Sequence, residues 1–124
     1  MAAVPRVVSI EDDFDIFRLI QYTLRPLNIE LYHAPSGSCA LEMADSLKPD
    51  LLLLDLALPD YYGWDVLNKI KANGHEPKSV VVLSARLQMP TPKMAKERQV
   101  DVCMSKPFTP AELRERVRSL LHLS

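Results

Sequence analysis

Pro49-Asp50-Leu51-Leu52-Leu53-Leu54-Asp55-Leu56-Ala57-Leu58-Pro59 carries four consecutive leucines closed by Pro49 and Asp50 on one side and Asp55 on the other. A run this short is far below the roughly 20 apolar residues that span a bilayer. Its length suits a strand, and an uninterrupted apolar strand is one buried on both faces, as in a parallel sheet covered by helices on either side. The acid that ends it, Asp55, then falls at the carboxyl end of a buried strand. In open α/β sheets ligands bind outside those ends.

The flanking sequence repeats the same pairing of a strand-length apolar run with a segment of helical period, five times in all, which is the pattern of an α/β domain. The strands are expected at Arg6 to Ile10, Ile29 to His33, Leu51 to Leu54, Val80 to Leu83 and Val100 to Met104. The first helix is expected from Phe14 to Leu24, with Asp13 as N-cap, Phe17, Ile20 and Leu24 inward, and Pro26 beyond its end. The second starts at Ser36 with Ala40, Leu41, Ala44 and Leu47 inward, and the third runs from Trp64 to Lys71 with Val66, Leu67 and Ile70 inward. Pro90 and Pro92 imply a short fourth helix, capped by Thr91. In the fifth, Thr109, Pro110 and Glu112 read as a capping box, with Leu113, Val117, Leu120 and Leu121 as one stripe.

The chain has 124 residues, 48% of them apolar, enough for one compact domain and its core, so residues 1–124 are read as a single unit. A formal net charge of -1 removes the usual motive for binding nucleic acid directly or an acidic membrane surface. The stretch from Met1 to Arg6 has no basic segment leading into an apolar one, which points to the cytoplasm. Cys39 and Cys103 form no CxxC pair and read as small apolar side chains. His33, His75 and His122 lack ligand spacing. Tyr61, Tyr62 and Trp64 read as packing residues, and Arg114, Arg116 and Arg118 as the wet face of the last helix.

The expected strand ends collect a distinctive set of groups: Glu11, Asp12 and Asp13 after the first, Asp55 after the third, Ser84 after the fourth and Lys106 after the fifth. Clustered carboxylates repel one another and call for a cation. Hard oxygen ligands without His or Cys favour magnesium, which takes one or two carboxylates together with phosphate oxygens. Phosphoryl transfer also needs a nucleophile and positive or hydrogen-bonding groups on the equatorial oxygens, roles that suit Asp55, Lys106 and Ser84. Singly, each residue is more simply a helix cap, a solvated side chain or a turn former; together, at one sheet edge, they read as a site.

The segments Val8-Ser9-Ile10-Glu11-Asp12-Asp13, Pro49 to Pro59, Gly63, Leu83-Ser84-Ala85 and Lys106-Pro107-Phe108 resemble the receiver domain of response regulators, over nearly the whole chain. The resemblance implies a doubly wound, flavodoxin-like parallel sheet of five strands in the order 2-1-3-4-5, with five helices on its two faces. It implies that Asp55 accepts a phosphoryl group from a histidine kinase or phosphotransfer protein. Asp12 and Asp55 would bind Mg2+, with Glu11 helping through water and the carbonyl of Ala57 completing the set. Ser84 and Lys106 would bind the phosphoryl oxygens, and the Lys106–Pro107 bond would be cis.

By the same resemblance, phosphorylation would switch a surface near helix four, strand five and helix five toward an effector domain or a homodimer. Multiple turnover is not expected, only self-catalysed phosphorylation and slow dephosphorylation. Relatives carry Tyr or Phe three residues before the lysine, where this chain has Cys103, so the aromatic half of the switch would be missing. Ala57 and Arg86, where relatives tune dephosphorylation, imply a long-lived phosphoryl form. The alternative is a receiver-like interaction domain with weak or no phosphorylation. A haloacid dehalogenase type phosphatase would need a second acid at position 57, which is Ala; a nucleotide or flavin module would need a glycine-rich loop, and the glycines stand only at 37, 63 and 74.

Overall fold

In the computed structural model, which describes residues 3–123, five strands alternate with five helices: β1 (Arg6–Ile10), α1 (Phe14–Leu24), β2 (Glu30–Ala34), α2 (Gly37–Leu47), β3 (Leu51–Asp55), α3 (Gly63–Ala72), β4 (Ser79–Ala85), α4 (Pro92–Glu97), β5 (Val102–Lys106) and α5 (Pro110–Leu120). Met1 and Ala2, the start of the stretch expected to carry no export signal, and Ser124 lie outside the described residues. All strands pair in parallel, in the order β2-β1-β3-β4-β5. The sheet is parallel, as expected from the leucine run, and has the doubly wound order that the resemblance implies.

Parity along β3 divides the core. Leu52 and Leu54 face the layer that holds Ala40 and Ala44 of α2 and Trp64, Val66, Leu67 and Ile70 of α3. Leu51 and Leu53 face Ile20 and Leu24 of α1 and Leu113 and Val117 of α5. With all four leucines at 0–1% exposure, no alternating polar face remains on the strand. Leu41 and Leu47 of α2, and Leu120 and Leu121, pack at the margins of these layers rather than deep inside.

The helix ends follow local chemistry. Asp13 caps α1 by accepting from the backbone N–H of Asp15 and Ile16, and Ser36 and Thr91 cap α2 and α4. Thr109 caps α5 through the N–H of Glu112, but Glu112 does not bond back, so only half of the capping box forms among the described residues. At α3, Gly74 adopts φ 78, the left-handed region glycine enters without steric cost, and closes the helix.

Several boundaries move from their expected places. Val100 is not in β5, because Gln99 turns left-handed (φ 59) and Val100 N–H donates to Ala95 O while Gln99 N–H donates to Lys96 O. That is a Schellman closure of α4, and it uses Val100 as the apolar residue beyond the helix. Ile29 N–H is likewise taken by Leu27 O, so β2 begins at Glu30. At the other ends, parallel pairing carries β3 to Asp55, β4 to Ala85 and β5 to Lys106. Arg114 also departs from its expected place in solvent: its Nε donates to Thr23 O at 2.8 Å, tying α5 to α1.

Candidate functional site

The carboxyl ends of β1, β3 and β5 meet at one edge. Lys106, the last residue of β5, sends its ammonium between two acids, 2.9 Å from Glu11 Oε1 and 3.1 Å from Asp55 Oδ2. The other oxygen of Asp55 accepts from the Ala57 N–H at 3.0 Å. Carboxylate oxygens of Glu11, Asp12 and Asp55 all lie within 4.8 Å of one another. Glu11 and Asp55 are buried, and Asp12 is exposed at the mouth.

Three carboxylates gather beside one ammonium, which pairs with two of them, and the imbalance appears in the titration of Glu11. Burial, reinforced by Asp55 and only partly opposed by Lys106, pushes its pKa up to about 7. Burial alone would lower Lys106, but Glu11 and Asp55 overrule it and the ammonium is held more firmly than usual. The donor set is three hard oxygens with no nitrogen or sulfur, which fits a divalent cation of the magnesium type and not a softer metal.

The loop between β3 and α3 completes the edge. Gly63 returns the β3–α3 loop onto β3, with its N–H donating to Leu56 O at 2.9 Å. A Cβ there would lie 2.6 Å from Leu56 Cα and 2.8 Å from Asp55 O, so only glycine allows this close approach. Asp60 then fastens the loop to α2, accepting from Gly37 N–H at 2.7 Å and Ser38 N–H at 3.1 Å. Those bonds, the one from Gly37 foremost, hold its carboxyl below the usual range. No local pattern announces this tie, since residues 37 and 60 are joined only by the fold.

Of the other expected site residues, Ser84 is buried near the end of β4, and its hydroxyl donates to Ala85 O at 3.4 Å rather than to the acids. Asp13 serves α1 as its cap, with its own N–H directed to Glu11 Oε2 at 3.3 Å. Ala57 and Arg86 are both open to solvent. The Lys106–Pro107 peptide bond is cis. Cys103 is half-buried against the α2–α3 layer, and burial pushes its thiol pKa up. Tyr61 packs on Gly37 and Trp64 is buried under the guanidinium of Arg98, whereas Tyr62 is 59% exposed. No helix among the described residues is long and apolar enough to cross a membrane.

Residues 7–118 match the family described as the response regulator receiver domain. The chain belongs to that family. Among curated proteins, the DNA-binding response regulator MtrA of Mycolicibacterium smegmatis is 34% identical over 116 residues, 94% of this chain and 50% of that protein. The transcriptional regulatory protein PrrA of Mycobacterium tuberculosis is 34% identical over 117 residues, with the same coverage. This receiver chain thus spans about half the length of the curated relatives it matches. Among solved structures, the signal receiver domain of a Luxo repressor protein from Vibrio parahaemolyticus superposes with a TM-score of 0.86 at 28% identity, covering 97% of this chain and 92% of that one. The receiver domain of a Pseudomonas aeruginosa sensor histidine kinase, solved with magnesium in its active-site cleft, gives 0.82 at 21% identity over 97% of this chain and 99% of that one, a likeness of fold alone.

Proposed function

We propose that this receiver domain takes a phosphoryl group onto Asp55 from a phosphohistidine of a histidine kinase or phosphotransfer protein. In the step, a carboxylate oxygen of Asp55 forms the new O–P bond as the N–P bond of the donor breaks, and the imidazole leaves with the electron pair and takes up a proton. The observation that carries this reading is the Lys106 ammonium bridging Asp55 and Glu11 amid three carboxylates. It is already aimed at the spot where phosphoryl oxygens would gather charge. The Ala57 N–H keeps Asp55 in one orientation. Magnesium held by Asp12 and Asp55, by Glu11 through water and by the Ala57 carbonyl would supply the positive charge this cluster lacks.

Ser84 and Lys106 are the switch pair in this reading. Among the described residues the Ser84 hydroxyl makes only a long bond to its neighbour, so a phosphoryl oxygen offers it a better acceptor and draws the β4–α4 loop inward. With Cys103 in place of an aromatic ring, output runs through that loop, α4 and the β5–α5 surface, toward an effector domain or a second copy. Residues 1–124 act as one receiver unit in the cytoplasm. An apolar groove lined by Ile16, Leu19, Pro107 and Phe108 opens beside Lys106 and suits a donor's approach.

The test is intact mass after incubation with magnesium and acetyl phosphate. Wild-type protein should gain one phosphoryl group per chain, slowly lost, and Asp55→Asn should gain none. A receiver-like interaction domain without phosphorylation would leave the wild type unlabelled, and a phosphatase would consume acetyl phosphate through many cycles.

A further inference from the structure

His33 lies within reach of the acid cluster without belonging to it. Its ring is flat against Phe17, centroids 3.9 Å apart and planes 9° apart, and Phe14 meets it edge-on at 5.1 Å. Held this way, Nε2 sits 2.6 Å from the backbone carbonyl of Glu11. A carbonyl only accepts, so Nε2 carries the hydrogen and donates.

The Glu11 carbonyl belongs to the same rigid plane as the N–H of Asp12. Fixing that oxygen fixes the plane from which Asp12 leaves the strand. Glu11 itself is secured at its other polar atoms, by Ala34 O on its N–H, by Lys106 on Oε1 and by the Asp13 N–H on Oε2. Asp12 is exposed, and no hydrogen bond among the described residues orients its carboxylate. The peptide that His33 holds therefore fixes the backbone from which the Asp12 side chain departs.

Resting on the reading of the acid cluster given above, we propose that His33 is a positioning residue for the divalent cation, acting through the Glu11–Asp12 peptide and not as a ligand. Groups that orient a metal ligand from behind typically change affinity by about ten- to a hundredfold when removed. The role is distinct from simple packing, because packing needs the ring and positioning needs the donor.

Two substitutions separate these. His33→Phe keeps a ring to stack on Phe17 and removes the donor; His33→Gln removes the ring and keeps an N–H at similar reach. Magnesium dissociation constants are measured by calorimetry on the full unphosphorylated chain, with metal-free thermal midpoints alongside. His33→Phe should bind magnesium about tenfold more weakly, and His33→Gln within about twofold of wild type, in an order that the midpoints do not follow. Wild-type affinity in His33→Phe, or affinity in both variants falling in step with their midpoints, would overturn the positioning role. If wild type and Asp12→Asn alike fail to bind magnesium, the acid cluster itself has been misread, and the inference falls with it.

Discussion

Glu11 is a carboxylate kept at 1% exposure beside two other acids, and its pKa is pushed from the usual 4.5 up to about 7. In the unfolded chain it returns to the ordinary value, so between these limits the folded state holds more proton than the unfolded one. The metal-free protein should therefore lose stability as pH rises from about 4.5 toward about 7, and Glu11→Gln should remove that part of the slope. A magnesium ion at this cluster would favour the deprotonated form, so its addition should raise the melting midpoint more at the alkaline end of the window than at the acid end. Superimposable pH profiles for wild type and Glu11→Gln would refute the assignment. Glu11, Asp55 and Lys106 were legible in the sequence because each stands at or just beyond the end of a recognisable strand-length run. His33 and Asp60 were not, because what they touch depends on which strand lies beside β1 and which loop covers α2, and local periodicity carries neither fact.

Among the elements, α4 differs most from the rest. It is six residues long and has no buried residue, and the 3-10 turn Arg86–Gln88 before it leaves Leu87 98% exposed. Its C-terminal end is tied to α3, with Lys71 Nζ donating to Arg98 O at 2.6 Å and the Arg98 guanidinium 4.8 Å from the centre of the Trp64 ring. A helix anchored at one end and unburied along its length opens at small cost. Hydrogen exchange should find the α4 amides the fastest among the helices and those of β3 the slowest in the molecule; α4 protection equal to that of α5 would contradict this. The two prolines announced a short helix, and the structure has one. Its closure was harder to read, because Gln99 gives no warning of a left-handed turn and Val100 looks like the first residue of a strand. Strand ends were read short for a related reason: Asp55, Ser84 and Lys106 are polar, but their backbones continue the parallel ladder.

At the scale of the whole molecule, the strand order β2-β1-β3-β4-β5 reverses direction between β1 and β3, and the carboxyl ends on either side of that reversal are where Glu11, Asp12 and Asp55 stand. The leucines of β3 hold the sheet by burial on both faces, and the same strand delivers Asp55 to the edge. The fold was therefore readable from the alternation of strands and helices, and the acid edge followed from it, whereas the ties between loops did not. On the proposed function, Asp55, and no neighbouring acid, would form the acyl phosphate. The direct measurement is to treat the protein with magnesium and acetyl phosphate, reduce any acyl phosphate with borohydride, and locate the resulting homoserine by peptide mass spectrometry. Homoserine at position 55 alone is the predicted result; homoserine at position 12, or none at all, would contradict it.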